Sequence, residues 1–174
     1  KASVSGTLPI LRMGNITDDG RIDTSDLKYL DLESNEIDRY TTRRGDLLFN
    51  RTNSADKVGK TGLVRTDDVY AIAGYLVRLR LTSEAHPEFV CAFLNGTYGR
   101  RIRRGLAKEA INQANISASE LKRIRIPLPP IEVQNVFAEV MGAVEAQRER
   151  ATAVLEEDRR LFVSLQVRAF RGEL

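Results

Sequence analysis

The sequence predicts an α+β protein: a globular part of mixed β-sheet and helix over residues 1–129, then one long coiled-coil-forming helix over residues 130–174. Three observations carry this reading. Short apolar runs bounded by Asp, Gly and Asn recur as far as Leu81, as strands do. Pro127, Pro129 and Pro130 then punctuate the chain. Beyond them, up to Phe170, there is no proline and Gly142 is the only glycine, while apolar residues return at three- and four-residue steps.

Leu8 to Met13 reads as a strand, and Asp18-Asp19-Gly20 as a turn after it. Residues 25–32 mix polar and apolar types without a clear period, and residues 34–39 fit one short helix. Thr41 to Gly45 reads as a loop. Leu47, Leu48 and Phe49 form a short apolar strand, and the polar stretch 51–57 reads as a loop. Gly62 to Arg65 and Val69 to Ala73 are short strands parted by Asp67-Asp68. Between Tyr75 and Leu81 the residues alternate, with Leu76, Arg78 and Arg80 on one face and Tyr75, Val77, Leu79 and Leu81 on the other, which predicts a half-buried strand.

Pro87 suits the first position of a helix, with His86 before it as a capping or surface residue. That helix is expected to run into Arg100–Arg104, with Gly99 as its weak point. Residues 108–115 read as a polar loop, and Ser117 or Ser119 can cap a helical turn through Leu121. In residues 123–128, Ile124 and Ile126 alternate with arginines in the manner of an edge strand.

In the last segment, Phe137, Val140, Met141, Val144, Ala151, Leu155, Phe162, Leu165 and Ala169 recur as one helical stripe. A helix of about 40 residues is about 60 Å long at 1.5 Å per residue. That exceeds ordinary globular helices and points to a coiled coil. One such helix cannot bury its own stripe, so a partner helix is required. The alternative is two shorter helices folded back near Gln147, where no turn residues stand.

Composition excludes several kinds of chemistry. Cys91 is the only cysteine and His86 the only histidine, so a disulfide framework and Cys- or His-rich metal centres are out. A Ser–His–Asp engine would have to use His86 at its helix start. Gly59-Lys60-Thr61 invites a phosphate-loop reading, but Ser54 stands where that pattern needs glycine, and Gly62-Leu63-Val64 reads as strand rather than helix. Asp18/Asp19 and Asp67/Asp68 lie beside turns, where aspartate serves the backbone. No apolar run approaches the roughly 20 residues that span a bilayer, so no membrane role is expected. With one thiol and no visible signal peptide, the cytoplasm is the expected compartment.

Net charge is only +3, but the charges lie in blocks. Residues 15–38 hold two bases against eight acids, residues 39–65 seven against two, and residues 100–125 eight against two. Local fields of this kind steer a charged partner even on a nearly neutral molecule. Arginine dominates both basic blocks, and its planar fork suits phosphate and guanine edges. The bland reading is two solvated faces balanced by the acidic block.

Five segments occur in order: LPILRMGNITDDGRID from Leu8, GDLLFNRTNSADKVGKTGLV from Gly45, NGTYGRRIRR from Asn95, NISASELKRIRIPLPPIEVQ from Asn115, and LQVRAFRGEL from Leu165. Together they resemble the specificity (S) subunit of type I restriction–modification systems. More narrowly, the chain resembles one target recognition domain followed by one conserved spacer helix. It departs from the family in lacking the usual opening segment with its tryptophan, since the chain has no Trp. The expectation is therefore a half subunit, a fragment, or a short protein that must dimerise.

The resemblance implies sequence-specific recognition of one half of a split target in double-stranded DNA. It implies that the helix pairs with a second copy, or with the other half of the S subunit, and docks the methyltransferase (M) subunits. The chemistry would lie on the M subunits and the restriction (R) subunit, with S-adenosylmethionine, ATP and magnesium. No catalytic residue, cofactor or metal is expected in this chain.

Arg51, Asn53, Lys57 and Lys60 lie in or beside one polar loop, and Arg100, Arg101, Arg103, Arg104, Lys108, Asn112 and Gln113 flank another. Most of these bases are expected to contact phosphate. Asn53, Asn112, Gln113 and Arg103 are the base-edge candidates. For each, the competing reading is a surface charge or a side chain bonded to its own loop. The rival for the whole chain is a structural or protein-interaction coiled-coil module that does not bind DNA.

Overall fold

The computed structural model describes residues 3–110 and 113–173. It falls into two compact units that divide between Gln134 and Asn135.

Among its described residues the first unit holds three three-stranded sheets. Strand β1 (Leu8–Leu11) lies between β2 (Lys28–Leu30), antiparallel, and β6 (Ala71–Ile72), parallel. Strand β3 (Leu47–Asn50) is central in the second sheet, antiparallel to β5 (Thr61–Leu63) and β7 (Leu76–Leu79). The third sheet sets β9 (Gln113–Asn115) between β4 (Thr52–Asn53) and β8 (Lys108–Ala110), again antiparallel. A short helix α1 (Ile37–Tyr40) precedes β3.

Strand β3 explains why these sheets hold together. All four of its residues are fully buried. Leu48 joins a cluster with Leu11, Ile16, Val64, Tyr70 and Leu76. Leu47 packs with Leu63, Val90, Cys91 and Leu94, and Phe49 with Val58, Ala114, Ile116 and Leu121. Each of the three apolar clusters thus takes one side chain from the same strand. Burying a side chain of this size is worth about 1.5–3 kcal/mol.

Helix α2 (Pro87–Asn95) covers the second sheet. His86 caps it, accepting the Glu88 N–H at Nδ1 over 3.2 Å. Arg65, two residues past β5, grips Glu88 with two bonds of 2.6 and 2.8 Å. The sole thiol, Cys91, is buried between Thr61 O and Gly20 O, and burial pushes it up to about 12.

Besides strand β4, which takes Thr52 and Asn53 from the expected loop 51–57, the sequence reading differs from the structure in four places. First, the helix after Pro87 breaks at Gly96, not Gly99: Gly96 is extended, and α3 (Thr97–Leu106) starts afresh behind it. Gly99 serves instead for close approach, since a Cβ there would lie 2.2 Å from Phe93 O. Second, within the expected loop 108–115, Lys108–Ala110 and Gln113–Asn115 form β8 and β9, whose ladder is completed by β4. Third, residues 123–128 form no strand. Ile124 and Ile126 pack on the core, so their alternation reflects one-sided burial without a ladder, and Pro127 has no N–H to give one. Fourth, the mixed stretch 25–32 yields strand β2.

A capping box starts helix α4 (Ala118–Leu121). Ser117 Oγ accepts the Glu120 N–H, and the Glu120 carboxylate accepts the Ser117 N–H over 2.8 Å. Bonds from the Ser117 backbone and hydroxyl, then from Lys108, hold the Glu120 carboxyl down to about 2.

Helix α5 (Ile131–Phe170) runs unbroken for 40 residues, with no turn near Gln147. Its first turn belongs to the globular unit because Gln134 is fully buried there. The Gln134 side chain accepts the His86 N–H over 2.8 Å and donates to Glu84 O and Pro129 O over 3.0 and 2.7 Å. In the second unit Val140, Val144, Leu155, Phe162 and Leu165 of the expected stripe are exposed. Leu161, Val163, Val167 and Phe170 are exposed too, so the last three turns are apolar on more than one side.

Two glycines of α3 predict opposite outcomes. Gly99→Ala drives a methyl into backbone and should lower unfolding free energy by about 1–3 kcal/mol. Gly105→Ala meets nothing within 4 Å and should raise it by up to about 1 kcal/mol. Urea midpoints of the two variants check this.

Candidate nucleic-acid interface

Two segments some forty residues apart in sequence build one basic cavity. The first is the loop from Ser54 to Lys60, wound tight by bonds from the Lys57 and Val58 N–H groups to Ser54 O. Gly59, at φ +78°, then reverses the chain. Its N–H reaches Asn50 O over 2.6 Å, and Lys60 O accepts the Asn50 N–H over 2.9 Å. The loop is therefore pinned to the end of β3.

The second segment is α3. Arg103 and Arg104 follow Arg100 by three and four residues and share a helix face with it, while Arg101 is exposed and does not line the cavity. The cavity between loop and helix has a volume of about 230 Å³. Its lining carries Lys57, Lys60, Arg100, Arg103 and Arg104 against two acids, Asp18 and Asp56.

Arg103 has a different role from its neighbours. It is 4% exposed, and its Nη1 donates to Val58 O over 3.1 Å. Its Nε has no partner, and no carboxylate pairs with it among the described residues. Burial first, then the charges of Arg100 and Arg104, pull it down to about 10, so it stays charged at neutral pH. Gly59 makes room for it: a Cβ there would lie 2.5 Å from Arg103 Cδ and 3.1 Å from Phe49 Cζ. Arg103, expected as a base-edge candidate, is thus buried and acts as the strut that fixes the loop to the helix. The missed signal was the glycine at position 59, whose lack of a side chain is what the buried guanidinium requires.

Many of the other bases already have acids. Arg43 bonds Asp38, Arg44 grips Asp67 at 2.9 and 3.0 Å, and Arg80 bonds the buried Asp46 at 2.9 Å. Lys108 pairs with Glu120 at 3.1 Å. The reading of balanced charge therefore describes these residues, but not Lys57 or Arg104, which are exposed beside the cavity.

Arg51, Asn53 and Gln113 sit on or beside the third sheet. Arg51 lies where the chain passes from β3 to β4, its N–H bonded to Tyr75 O and its carbonyl to the Ile116 N–H. Asn53 stands opposite Ala114, and its Oδ1 accepts the Ser54 N–H over 2.9 Å. Gln113 is exposed at the start of β9. Asn112 lies outside the described residues. Asp18 at the cavity mouth was not foreseen, because only the fold brings the Asp18-Asp19-Gly20 turn to Lys60. Among the described residues no group of three or more His, Cys, Asp or Glu is placed to hold a metal, and no helix is long and apolar enough to cross a membrane.

Comparison with known proteins bears on what this face serves. The family model of the type I restriction modification DNA specificity domain matches residues 2–157. The chain belongs to that family.

Among relatives of this specificity domain is the EcoKI specificity subunit of Escherichia coli (strain K12), 31% identical over 177 residues and 95% of the chain. The putative MjaX specificity subunit of Methanocaldococcus jannaschii is 32% identical over 137 residues, 77% of the chain. The StySPI specificity subunit of Salmonella potsdam is 29% identical over 96% of the chain. The specificity domain here spans about a third of the length of each relative, 37%, 32% and 37% respectively. A chain from a solved type I R-M system shares the fold, with a TM-score of 0.59 at 23% identity, over 98% of this chain and 40% of that one.

The strut role predicts a split between neighbouring arginines. Arg103→Ala removes a buried, hydrogen-bonded side chain and should cost about 2–4 kcal/mol of stability. Arg104→Ala, on an exposed residue, should stay within about 0.5 kcal/mol. Thermal melts of the two variants check this.

Proposed function

We propose that this chain recognises one half of a split target in double-stranded DNA, as the specificity component of a type I restriction–modification assembly. Membership of the specificity-domain family, together with the cavity that joins both basic blocks, supports this reading. Lys57, Lys60, Arg100 and Arg104 would contact phosphates, with Arg51, Arg101 and Lys108 extending the basic surface. Asn53 and Gln113, both in the third sheet, would reach base edges, as would Asn112.

In this reading the chain is not an enzyme and holds no cofactor. The M subunits would bring S-adenosylmethionine and the R subunit ATP and magnesium, in the cytoplasm. Helix α5 would act as spacer and docking element. Apolar surface on several sides of its last turns supports contact with more than one partner: another copy or the other half of an S subunit, and the M subunits.

Binding to duplex DNA should depend steeply on salt. With roughly six phosphates neutralised, log K should fall against log salt with a slope near −5. Fluorescence anisotropy across a salt series measures it. A flat response would favour the protein-interaction module instead.

The exposed stripe predicts a dimer. Several Leu, Val and Phe side chains at about 1.5–3 kcal/mol each outweigh the cost of association. Light scattering of the parent chain at micromolar concentration should give twice the chain mass. Leu155→Asp, far along α5, should give monomers with the globular unit still folded.

A further inference from the structure

The basic cavity carries its own counter-ion. Asp18 is exposed, yet its carboxylate lies 2.6 Å from Lys60 Nζ. The Lys60 bond and charge, then Arg100 and Lys57, hold the Asp18 carboxyl below the usual carboxylate range. One acid thus faces several of the bases that line the cavity.

The backbone behind Asp18 has little freedom. Gly20, at φ +83°, is pressed so close that a Cβ would lie 2.6 Å from Asn95 Nδ2 and 2.8 Å from Cys91 Sγ. Its carbonyl accepts the Leu63 N–H over 3.1 Å, and Thr17 N–H bonds Arg21 O over 3.0 Å. The turn is tied to the sheet and to α2. The carboxylate can leave Lys60 only by side-chain rotation.

We propose that the cavity seats one phosphate of the DNA backbone, and that the Asp18 carboxylate occupies its mouth until that phosphate displaces it. This rests on the DNA-binding reading above and names one of its contact points. The chemistry fits a phosphodiester. Lys57 and Arg104 give exposed donors, Lys60 gives a half-buried ammonium, and the buried Arg103 adds positive charge that no carboxylate pairs with among the described residues. At about 230 Å³ the cavity is several times the roughly 30 Å³ of one water, so a phosphate enters with ordered water around it. A carboxylate on Lys60 offers the same kind of anionic oxygen that phosphate does. Asp18 therefore lowers affinity for every DNA sequence alike and keeps the cavity closed to weaker anions.

The test uses the full chain on a duplex of arbitrary sequence, read by fluorescence anisotropy. Asp18→Asn should tighten binding about two- to fivefold, the scale of an exposed ion pair. Lys57→Gln with Arg104→Gln should weaken it and flatten the salt slope by about two. In a Lys60→Gln background, which removes the ammonium that carboxylate and phosphate compete for, Asp18→Asn should have no further effect. Glu33→Gln changes net charge equally from a residue that does not line the cavity, and should leave affinity within error. A salt-dependent parent chain with an indifferent Asp18→Asn, or with an equal gain from Glu33→Gln, overturns the phosphate seat alone. A parent chain without duplex affinity overturns the DNA reading and the seat with it. Calorimetric titration with inorganic phosphate separates the two anion sources. Submillimolar binding of the free ion would overturn assignment of the cavity to the DNA backbone.

Discussion

Leu47–Asn50 is the segment on which the other parts depend. Three of its side chains supply one member each to three separate apolar clusters, so no sheet has a core of its own that excludes this strand. Its fourth residue, Asn50, uses its backbone N–H and C=O to hold Lys60 and Gly59. The same strand therefore organises the interior and fixes the loop that carries surface charge. A shift of β3 by one residue would turn Leu47 and Phe49 onto the opposite face, and it would also move the loop away from α3. Packing and charge placement are coupled through four residues.

Beyond this strand, the basic surface is assembled by sorting. Bases that meet an acid within the fold, such as Arg65 on Glu88 and Arg80 on Asp46, tie elements together. Arg103 meets a carbonyl and no acid, and spends its charge inside the protein. Lys57 and Arg104, beside the cavity, keep theirs exposed. Two blocks that look equivalent along the chain thus divide into ties, a strut and free donors. Linear charge density does not predict that division, because it depends on which acids the sheets bring near.

Much of the fold was legible in the sequence, for physical reasons. The run Leu47-Leu48-Phe49, the Pro87 helix start with His86 before it, the Ser117 cap and the 40-residue helix each rest on local chemistry. Strands β8 and β9 were not legible. They are short and mostly polar, and they exist because β4 offers a ladder from some sixty residues away. The break at Gly96 was misplaced to Gly99 because both glycines suit a break, and only three-dimensional crowding at Phe93 O separates their roles. The candidate site was legible as a set of residue types in two blocks. Which of them share a cavity was not, since that depends on the pairing of Gly59 with Arg103 and on the turn that delivers Asp18.

The buried thiol of Cys91 gives this chain an internal clock. Thiolate is the reactive form, and a thiol pushed up to about 12 and packed between Gly20 O and Thr61 O does not react while the fold is closed. Alkylation therefore requires an opening that frees Cys91 from its packing in the seam between α2 and β5. The same seam anchors the turn at Gly20, so the rate of Cys91 modification reads the local opening free energy beside the basic cavity, with no label or engineered probe.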